Sequence, residues 1–386
     1  MRVLVTDGSY SHTLSITRSL GMRGYEVYVL DTKRPSLCGV SRYSKGVFVT
    51  PPINEEKSFI DFLIHLLKKT RFDMLIPVGS RSVQIISKNK EIVERYTALE
   101  VPDFEKVRSA FNKIFAYALA GKIGIPYPKT VVPENIFEIN KISENFHFPV
   151  VIKAREDTGS HLIDYVFKPS ELEEKYKNFL KRYKVKDLPM VQQYIEGDGY
   201  GFFALYQNGR PKRIFMHHRI REFPPGGGAS SCAESFFDPV LKNYGMKLLN
   251  ALQWHGVAMV EFKKGNGDYS LMEINPKFWG SLDLAIASGV DFPYDLCQIG
   301  MGEELNYSED FIKGLRFQWP FSDDFLHTVY RPISVPSYLK DFLSPQVKSN
   351  VLISDFKPNI IELKNSLFYL LRNVKRYLSH TYKNFF

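Results

Sequence analysis

Apolar and polar positions in the first hundred residues follow two different periods. Short apolar runs at residues 2–6, 25–31 and 73–79 fit strands, and a helical pattern separates the first two runs at residues 12–23. Strands that alternate with helices are typical of a parallel sheet covered by helices. The segment after the first run, DGSYSHTLS, has one glycine and no dinucleotide-binding fingerprint, which disfavours a nicotinamide oxidoreductase.

The pattern changes after residue 100. A pair of helices is predicted across residues 103–123, with Asn112 as the cap of the second helix and with Gly124 and Pro126 at its end. Further apolar or alternating runs predict strands at 148–154, 189–197, 199–206, 211–219, 256–264 and 268–274. One helix is predicted among them near residues 239–254, and the pattern after Gly289 is mixed.

Length and composition limit the class of protein. A chain of 386 residues predicts two or three domains, and 44% hydrophobic with 24% charged residues is in the globular range. The first residues already form a strand, which predicts no signal peptide. The three cysteines, Cys38, Cys232 and Cys297, fit no zinc spacing, so a reducing cytoplasmic location is predicted. A net charge of +9 suits nucleic acid, acidic lipid or a nucleotide, but no nucleic-acid motif occurs, so no nucleic-acid partner is predicted.

Two acidic side chains and an amide mark neighbouring strands near residue 265. Glu261 and Glu273 lie on strands that a short turn joins, and a three-residue turn would place them opposite each other. Like charges directly opposite destabilise a strand pair, and a bound cation removes that penalty. Asn275 shares a face with Glu273, because strand residues two apart point the same way. Carboxylate and amide oxygens suit Mg²⁺, with Mn²⁺ as a substitute, so a Mg²⁺–nucleotide site is predicted, against the alternative of two solvated glutamates.

Two lysines occupy positions that suit a phosphate. Lys113 lies in the first turn of its helix, where the helix dipole disfavours a cation and free N–H groups attract an anion. Lys153 ends an apolar strand, from which its ammonium can reach a phosphate. Long side chains that simply reach solvent are the alternative explanation for both lysines, and this alternative stays open.

A glycine-dense segment follows at residues 217–235. Arg219 and Arg221 precede three consecutive glycines. Arginine forks suit carboxylates and phosphates, and glycines allow motion. We predict that residues 224–235 form a substrate loop that closes over the site, rather than a linker. Cys232 and the two histidines in this segment are given no role.

The ordered set of motifs resembles the ATP-grasp superfamily and is most similar to the predicted ATP-dependent carboligases. The motifs are Asn112-Lys113, FPVVIK, VQQYI, a strand with a central glutamate, a Pro-Pro-Gly-Gly loop after arginine, and MEINPKFWGS. Their order and spacing are specific, and they cover residues 1 to about 300. The resemblance implies an α/β and α+β architecture with the ATP-grasp fold. Its expected parts are an N-terminal Rossmann-like pre-ATP-grasp domain (1–105), a small lid subdomain (106–195), a C-terminal catalytic subdomain (196–305) and a C-terminal extension (306–386).

The resemblance also implies roles for residues that match the family's functional positions. These are Lys113 and Lys153 for phosphate, Gln193, Tyr194 and Ile195 for adenine, Asp198 for ribose, Glu261, Glu273 and Asn275 for the metal, and Arg219 and Lys277 for the acyl phosphate or the acceptor. The chain departs from the family at two places. Many relatives carry the ribose-binding acid where this chain has Gly199, and the lid loop REDTGSH has a single glycine.

The implied reaction is the ATP- and Mg²⁺-dependent activation of a carboxylate as an acyl phosphate, which an amine then displaces. One alternative is a bicarbonate-activating enzyme of the carboxylase or carbamoyl-phosphate synthase type. Another is a non-catalytic nucleotide-binding regulator, which the aligned carboxylates argue against. The predicted partners are therefore ATP and a carboxylate and an amine of unknown identity, with a homodimer as a further hypothesis.

The last residues return to a helical period. Between residues 359 and 386, apolar positions recur at helical spacing and basic residues surround them. One interpretation is a helix docked on the catalytic domain, and the other is a helix that lies on an anionic membrane surface. Charges interrupt every apolar run, so no membrane-spanning helix is predicted.

Overall fold

The computed structural model describes residues 1–156, 162–185, 187–265 and 267–383, with side chains up to residue 373. Residues 157–161 of the predicted lid loop REDTGSH (155–161) lie outside the described residues, as does Asn266 in the turn between the two glutamate strands. The predicted first α/β domain is present as a parallel four-stranded sheet of order β3-β2-β1-β4. Its elements are β1 (Arg2–Val5), α1 (Ser11–Met22), β2 (Glu26–Asp31), β3 (Ser44–Val49), α2 (Glu56–Lys69), β4 (Met74–Ile76), α3 (Ser80–Lys88) and α4 (Lys90–Val93).

A second, antiparallel sheet of order β5-β8-β6-β7 follows. It consists of β5 (Thr130–Val131), β6 (Val150–Lys153), β7 (Ile163–Val166) and β8 (Met190–Gln193), with helices α7 (Ile139–Ser143) and α8 (Leu172–Tyr183). The strand period sorts β6 into two faces: Val150 and Ile152 enter a separate core with the helices, while Val151 and Lys153 line a cleft.

The third sheet has seven strands in the order β13-β12-β9-β10-β11-β14-β15. They are β9 (Asp198–Gln207), β10 (Arg210–Phe223), β11 (Ala229–Ser235), β12 (Gly256–Gly265), β13 (Asp268–Asn275), β14 (Arg316–Gln318) and β15 (Lys348–Ser349). The expected substrate loop at residues 224–235 is therefore shorter than predicted. Only residues 224–228 connect β10 to β11, because the alternating residues that follow pair with β10 as a strand.

Both faces of this large sheet are covered. Successive residues of β9 point to opposite faces, and Phe202 to Tyr206 are all buried. Phe202, Ala204 and Tyr206 face a core with α5 (Phe104–Phe111), α6 (Lys113–Lys122) and α9 (Pro239–Ala251). Phe203 and Leu205 enter a core that also holds strand and helix residues of the first sheet, together with α10 (Leu282–Ala287) and α11 (Phe292–Gly300). The helical pair α5 and α6 thus packs on the large sheet, although the predicted division at residue 106 assigned it to the lid.

The predicted C-terminal extension adds β14 and β15 to the large sheet and ends in helices. These are α12 (Asp323–Tyr330), α13 (Val335–Leu343) and α14 (Lys357–Lys383). Single 3₁₀ turns occur at Cys38–Val40, Ile136–Glu138, Pro169–Glu171, Pro332–Ser334 and Ile353–Asp355. The helix predicted from residue 359 is present and begins two residues earlier. Among the described residues, no helix combines the length and the apolar character that crossing a membrane requires.

Candidate nucleotide and metal site

The two predicted carboxylates face each other on β12 and β13. Glu261 and Glu273 are direct register partners. The connection is shorter than predicted, because Gly265 already pairs with Asp268. A register shift next to Glu261 leaves Met272 as an extra residue on β13 and restores the opposition of the two glutamates.

Each carboxylate has its own cation. Lys113 Nζ lies 3.0 Å from Glu273 Oε2, and Arg219 forms an ion pair with Glu261 through Nη2. The Asn275 amide links the two, because its Nδ2 donates to Glu261 Oε1 at 3.1 Å and to Glu273 Oε1 at 2.9 Å. Only 19% and 22% of the Glu261 and Glu273 side-chain surfaces are exposed. The pair is therefore held in place before any ligand binds.

The surroundings shift the pKa values of the two carboxyl groups in opposite directions. Burial raises the pKa of Glu261, and the neighbouring Glu273 adds to the rise, while Arg219 only partly offsets it. Burial acts on Glu273 in the same direction, but the Lys113 ammonium and the Asn275 amide outweigh it and hold the pKa of Glu273 below its ordinary value. A divalent cation between the two groups would favour the ionised form of both.

The start of α6 differs from the prediction. Asn112 caps the helix as expected, since its side chain accepts from Phe115 N at 3.0 Å. The N–H of Lys113 donates to the Arg155 carbonyl at 2.9 Å. These two N–H groups are thus already bonded, so the expected open anion site at this helix start is wrong at those positions. The unusual lysine is instead explained by its ion pair with Glu273.

The lid sheet contributes the opposite side of the cleft. Lys153 Nζ donates to Gln192 Oε1 at 3.0 Å, and Gln192 in turn donates to the Thr130 hydroxyl at 2.9 Å. Burial, with the charge of nearby Lys113, lowers the pKa of Lys153 to about 8. A phosphate would offset both effects, because it supplies the negative charge that this buried ammonium lacks.

The predicted adenine segment follows β8 and lines the same cleft. The N–H groups of Gln193 and Tyr194 donate to the Lys129 and Pro149 carbonyls, at 2.8 and 3.3 Å. Ile195 also lines the cleft, and its carbonyl accepts from Lys263 Nζ at 3.3 Å. The same ammonium lies 5.1 Å from the centre of the Tyr194 ring.

The glycine connection of residues 224–228 reaches the lid. Tyr165 on β7 donates its hydroxyl to the Gly226 carbonyl at 2.6 Å, and a Cβ at Gly227 would lie 2.6 Å from the same hydroxyl. Gly227 has a φ of 148°, which side chains rarely adopt. A larger residue there would strain the backbone and push the two segments apart.

Several cleft residues were not found by sequence reasoning. Ser80 at the start of α3 brings the first sheet to the cleft, beside Lys277 and Ser281. Ser281 Oγ lies 2.7 Å from Nε2 of His217, a buried histidine on β10 whose pKa burial holds well below its ordinary value. Only a register assignment across β10 and the segment after β13 could have brought these residues together.

The candidate Asp198 and the unassigned Cys232 are both absent from the cleft lining. Asp198 is exposed at the first position of β9 and is not among the cleft-lining residues, so its ribose role rests on the resemblance alone. Cys232 is buried on β11, where burial raises its pKa, and its thiol lies 3.8 Å from Asp341. Such an environment disfavours a thiolate nucleophile.

Comparison with known proteins gives one family model and several relatives. The model, ATP-grasp in the biosynthetic pathway with Ter operon, matches residues 159–320. The chain is 23% identical over 280 residues to D-aspartate ligase of Enterococcus faecium (strain Aus0004), a match that covers 65% of this chain and 64% of that protein. The chain thus spans a little under two thirds of that relative.

Solved structures extend the comparison to the whole architecture. The L-amino acid ligase of Bacillus licheniformis superposes with a TM-score of 0.63 at 15% identity, over 81% of this chain and 77% of that one. The chain has the ATP-grasp fold. The predicted fold class is thereby confirmed, and the family-model match bears out the predicted resemblance to the ATP-grasp superfamily.

A second structure of similar fold is known with ligands. It is the biotin carboxylase domain of the Hydrogenobacter thermophilus 2-oxoglutarate carboxylase, in complex with MgADP, ADP and bicarbonate. Its TM-score is 0.65 at 15% identity, over 82% of this chain and 73% of that one.

Proposed function

We propose that this protein is an ADP-forming ligase that activates a carboxylate with ATP and joins it to an amine. The observation that carries the proposal is the opposed pair Glu261 and Glu273, which lines one cleft together with Lys153. Asn275 bridges the two carboxylates, and Lys113 pairs with Glu273. A protein that only binds nucleotide has little use for two aligned carboxylates with opposite pKa shifts. The sequence match to a D-aspartate ligase supports the same class of reaction.

ATP would lie between the lid sheet and the large sheet. The segment Gln193–Ile195 would contact adenine. The backbone N–H groups of Gln193 and Tyr194 already donate to carbonyls of the lid, so the N–H of Ile195 is the proposed donor to the base. Lys153 would contact the phosphates from the lid wall. Lys113, which pairs with Glu273 behind the cleft lining, remains the second proposed phosphate contact. Asp198 remains the proposed ribose contact, and it would have to approach from the exposed edge of β9.

The residues fit a Mg²⁺ ion that is shared with phosphate. Glu261 and Glu273 would supply carboxylate oxygens, and Asn275 would supply its amide oxygen after its side chain turns over. No cluster of three or more His, Cys, Asp or Glu side chains capable of holding a metal occurs among the described residues. Two carboxylates and an amide suit a cation that keeps water and phosphate ligands, and Mn²⁺ could replace it. When bound, the ion would neutralise charge on the transferring phosphoryl group.

The chain's own cations would guide both steps. In the first, a substrate carboxylate oxygen attacks the γ-phosphorus, the bond to the ADP oxygen breaks, and an acyl phosphate forms. In the second, the amine nitrogen attacks the acyl carbon, phosphate leaves, and the nitrogen loses a proton. Arg219 and Lys277 line the cleft where the acyl phosphate would lie, and their charges would stabilise its oxygens. Positioning would supply most of the rate enhancement.

The bicarbonate alternative has one specific observation in its favour, the structural likeness to a carboxylase domain solved with bicarbonate. That likeness is at 15% identity and concerns the fold, whereas the sequence match is to an amino-acid ligase. We therefore place carboxylate–amine ligation first. We also propose a cytoplasmic location, which agrees with three free and buried cysteines.

The test is ADP release in the presence of Mg²⁺ with paired substrates. One arm offers amino acids, including D-aspartate, in pairs with simple carboxylic acids, and a second arm offers bicarbonate with the same amines. A carboxylate labelled with ¹⁸O should transfer one label to the released phosphate if an acyl phosphate forms. Asp268→Asn, at the exposed far end of β13, is the matched control for variants of Glu273.

Tight ATP binding without ADP release for any pair would contradict the ligase and favour a regulator. ADP release that depends on bicarbonate and not on another acid would favour bicarbonate activation over carboxylate–amine ligation.

A further inference from the structure

The C-terminal helix α14 buries several polar side chains and exposes several apolar ones. Asn359, Glu362 and Ser366 share one helical face and are buried. Ile360, Leu367 and Leu371 share another face and are exposed, Leu371 to 72%. A helix that docks only on its own protein normally shows the reverse arrangement.

Hydrogen bonds explain how the polar face is buried. Arg18 of α1 forms an ion pair with Asp355 at 2.9 Å and donates to the Asn350 carbonyl at 2.7 Å. Glu362 accepts from the side chains of Asn350 and Asn359, at 3.0 and 2.9 Å. A polar network thus anchors the helix, and Ile361 adds an apolar contact with the small core around Leu14. The exposed side chains Ile360, Leu367 and Leu371 take no part in these hydrogen bonds.

Helix α13 shows the same inversion. Its Asp341 is buried and pairs with Arg221 at 2.7 Å and with Arg316 at 3.4 Å. Its outer face carries four exposed apolar side chains: Val335, Leu339, Phe342 and Leu343.

The apolar residues of the two helices adjoin. The ring of Phe321 lies 6.1 Å from the rings of both Phe342 and Phe356. Phe342 belongs to α13, and Phe356 immediately precedes α14. Ile353, just before Phe356, is 92% exposed. Residues 333–371 hold twelve of the 24 exposed large apolar side chains among the described residues. We name this surface the C-terminal apolar face.

Charge is segregated on the same segment. Between residues 331 and 373 all three acidic residues, Asp341, Asp355 and Glu362, are buried. The six basic residues of that span are exposed: Arg331, Lys340, Lys348, Lys357, Lys364 and Arg372. A second copy of this face would repel the first, whereas a negatively charged surface would attract it.

We infer that the C-terminal apolar face binds anionic lipid at a membrane surface. Exposed leucine, isoleucine and phenylalanine side chains would enter the headgroup–acyl boundary while the surrounding lysines and arginines contact acidic headgroups. The helices would lie in the plane of the membrane. The inference is independent of the proposed reaction, because none of these residues lines the cleft.

The experiment uses the full chain and point variants, since truncation would remove the buried network around Arg18. Protein is sedimented with phosphatidylcholine vesicles that contain or lack phosphatidylglycerol, at low and moderate salt. We expect binding only to the anionic vesicles, weaker at moderate salt. The variant Ile360→Ser/Leu367→Ser/Leu371→Ser should reduce binding by about tenfold or more, because apolar area drives interfacial insertion.

Matched controls separate this face from general surface effects. Phe137→Ser/Phe167→Ser/Ile312→Ser removes three exposed apolar side chains elsewhere, and it should bind like the unmodified chain. Lys357→Glu/Lys364→Glu/Arg372→Glu should abolish binding at low salt, while Lys57→Glu/Lys168→Glu/Lys247→Glu on other elements should only weaken it. All variants should keep the melting temperature.

Three outcomes would overturn the inference. The full chain could remain in the supernatant with anionic vesicles at low salt. Control and face variants could lose binding equally. Sedimentation velocity could instead show self-association that the triple-serine variant abolishes, which would make the face a protein interface.

Discussion

The two walls of the cleft are built in different ways. The wall on the large sheet belongs to two extensive cores, one of them shared with the first sheet. The lid wall rests on its own small core around Val150, Tyr176 and Phe179. Its described links to the rest include the bonds from Lys113 N to Arg155 O and from Tyr165 to Gly226 O. More packing therefore holds the groups on the large sheet than those on the lid, and we expect the lid to move more readily.

The chemistry divides in the same way. The large sheet holds the paired carboxylates with their ion-pair partners, whose geometry must be set before a cation binds. The lid holds Lys153 and the proposed adenine segment, which need to close on a nucleotide and then release it. Under the proposed function, substitutions on the two walls should be distinguishable: those on the large sheet should affect turnover, and those on the lid should affect nucleotide affinity.

Glu273→Gln should have the largest effect. We expect Mg²⁺-dependent ADP release to fall by at least about a hundredfold, as when a preorganised charged group is removed from an active site. The melting temperature should change little, because glutamine keeps the shape and can still accept from Lys113. Normal turnover in this variant would refute the metal assignment, and Asp268→Asn should behave like the unmodified chain.

Lys153→Met tests the lid wall, which carries the proposed nucleotide contacts. ATP affinity should fall by about tenfold or more, the loss of one charge-assisted hydrogen bond of about 1.5–3 kcal/mol. Stability should not decrease, because the variant removes an ammonium that burial already disfavours. Calorimetric titration of a non-hydrolysable ATP analogue measures the affinity, and Lys168→Met, exposed on the lid, is the control. If this variant lost turnover at saturating ATP but kept its ATP affinity, the lid would not act mainly on nucleotide binding, and the two walls would not differ as proposed.

The same lysine predicts a pH dependence. Its pKa of about 8 lies below the unfolded value, so the free protein loses the charge as pH rises through 8. ATP affinity should then decline by up to about tenfold between pH 7 and 9, since binding must take up a proton. The contribution of Lys153 to the stability of the ligand-free protein should rise between pH 8 and the unfolded pKa, because the unfolded chain binds more protons than the folded chain over that range. The affinity of Lys153→Met should be flat over this range, and an equal decline in that variant would assign the effect elsewhere.

Tyr165→Phe should have the smallest effect. It removes the hydroxyl that joins the lid to Gly226, a net loss of about 0.5–1.5 kcal/mol for one hydrogen bond. Limited proteolysis at residues 224–228 should become faster in the free protein, and a bound ATP analogue should slow it again. Unchanged cleavage would show that this bond does not hold the connection closed.

Local patterns predicted much of this molecule. The alternation of apolar and polar residues located the strands β6, β8, β9, β10, β12 and β13. The position of Asn112 before a helical pattern predicted its role as the cap of α6. Glu261, Glu273 and Asn275 could be grouped because strand neighbours on one face are fixed by spacing alone. The order of the motifs predicted the ATP-grasp fold.

Contacts between distant segments were decided only by the tertiary structure. The bulge at Met272 restored the carboxylate pairing that the shorter turn would have shifted by one residue. The ion pair of Lys113 with Glu273 joins residues 160 positions apart, so no local pattern carries it. The inverted faces of α13 and α14 likewise depend on Arg18, Arg221 and Arg316, which bury the carboxylates of those segments. Sequence spacing fixes which residues share a face, but only the packed chain determines which face is turned inward.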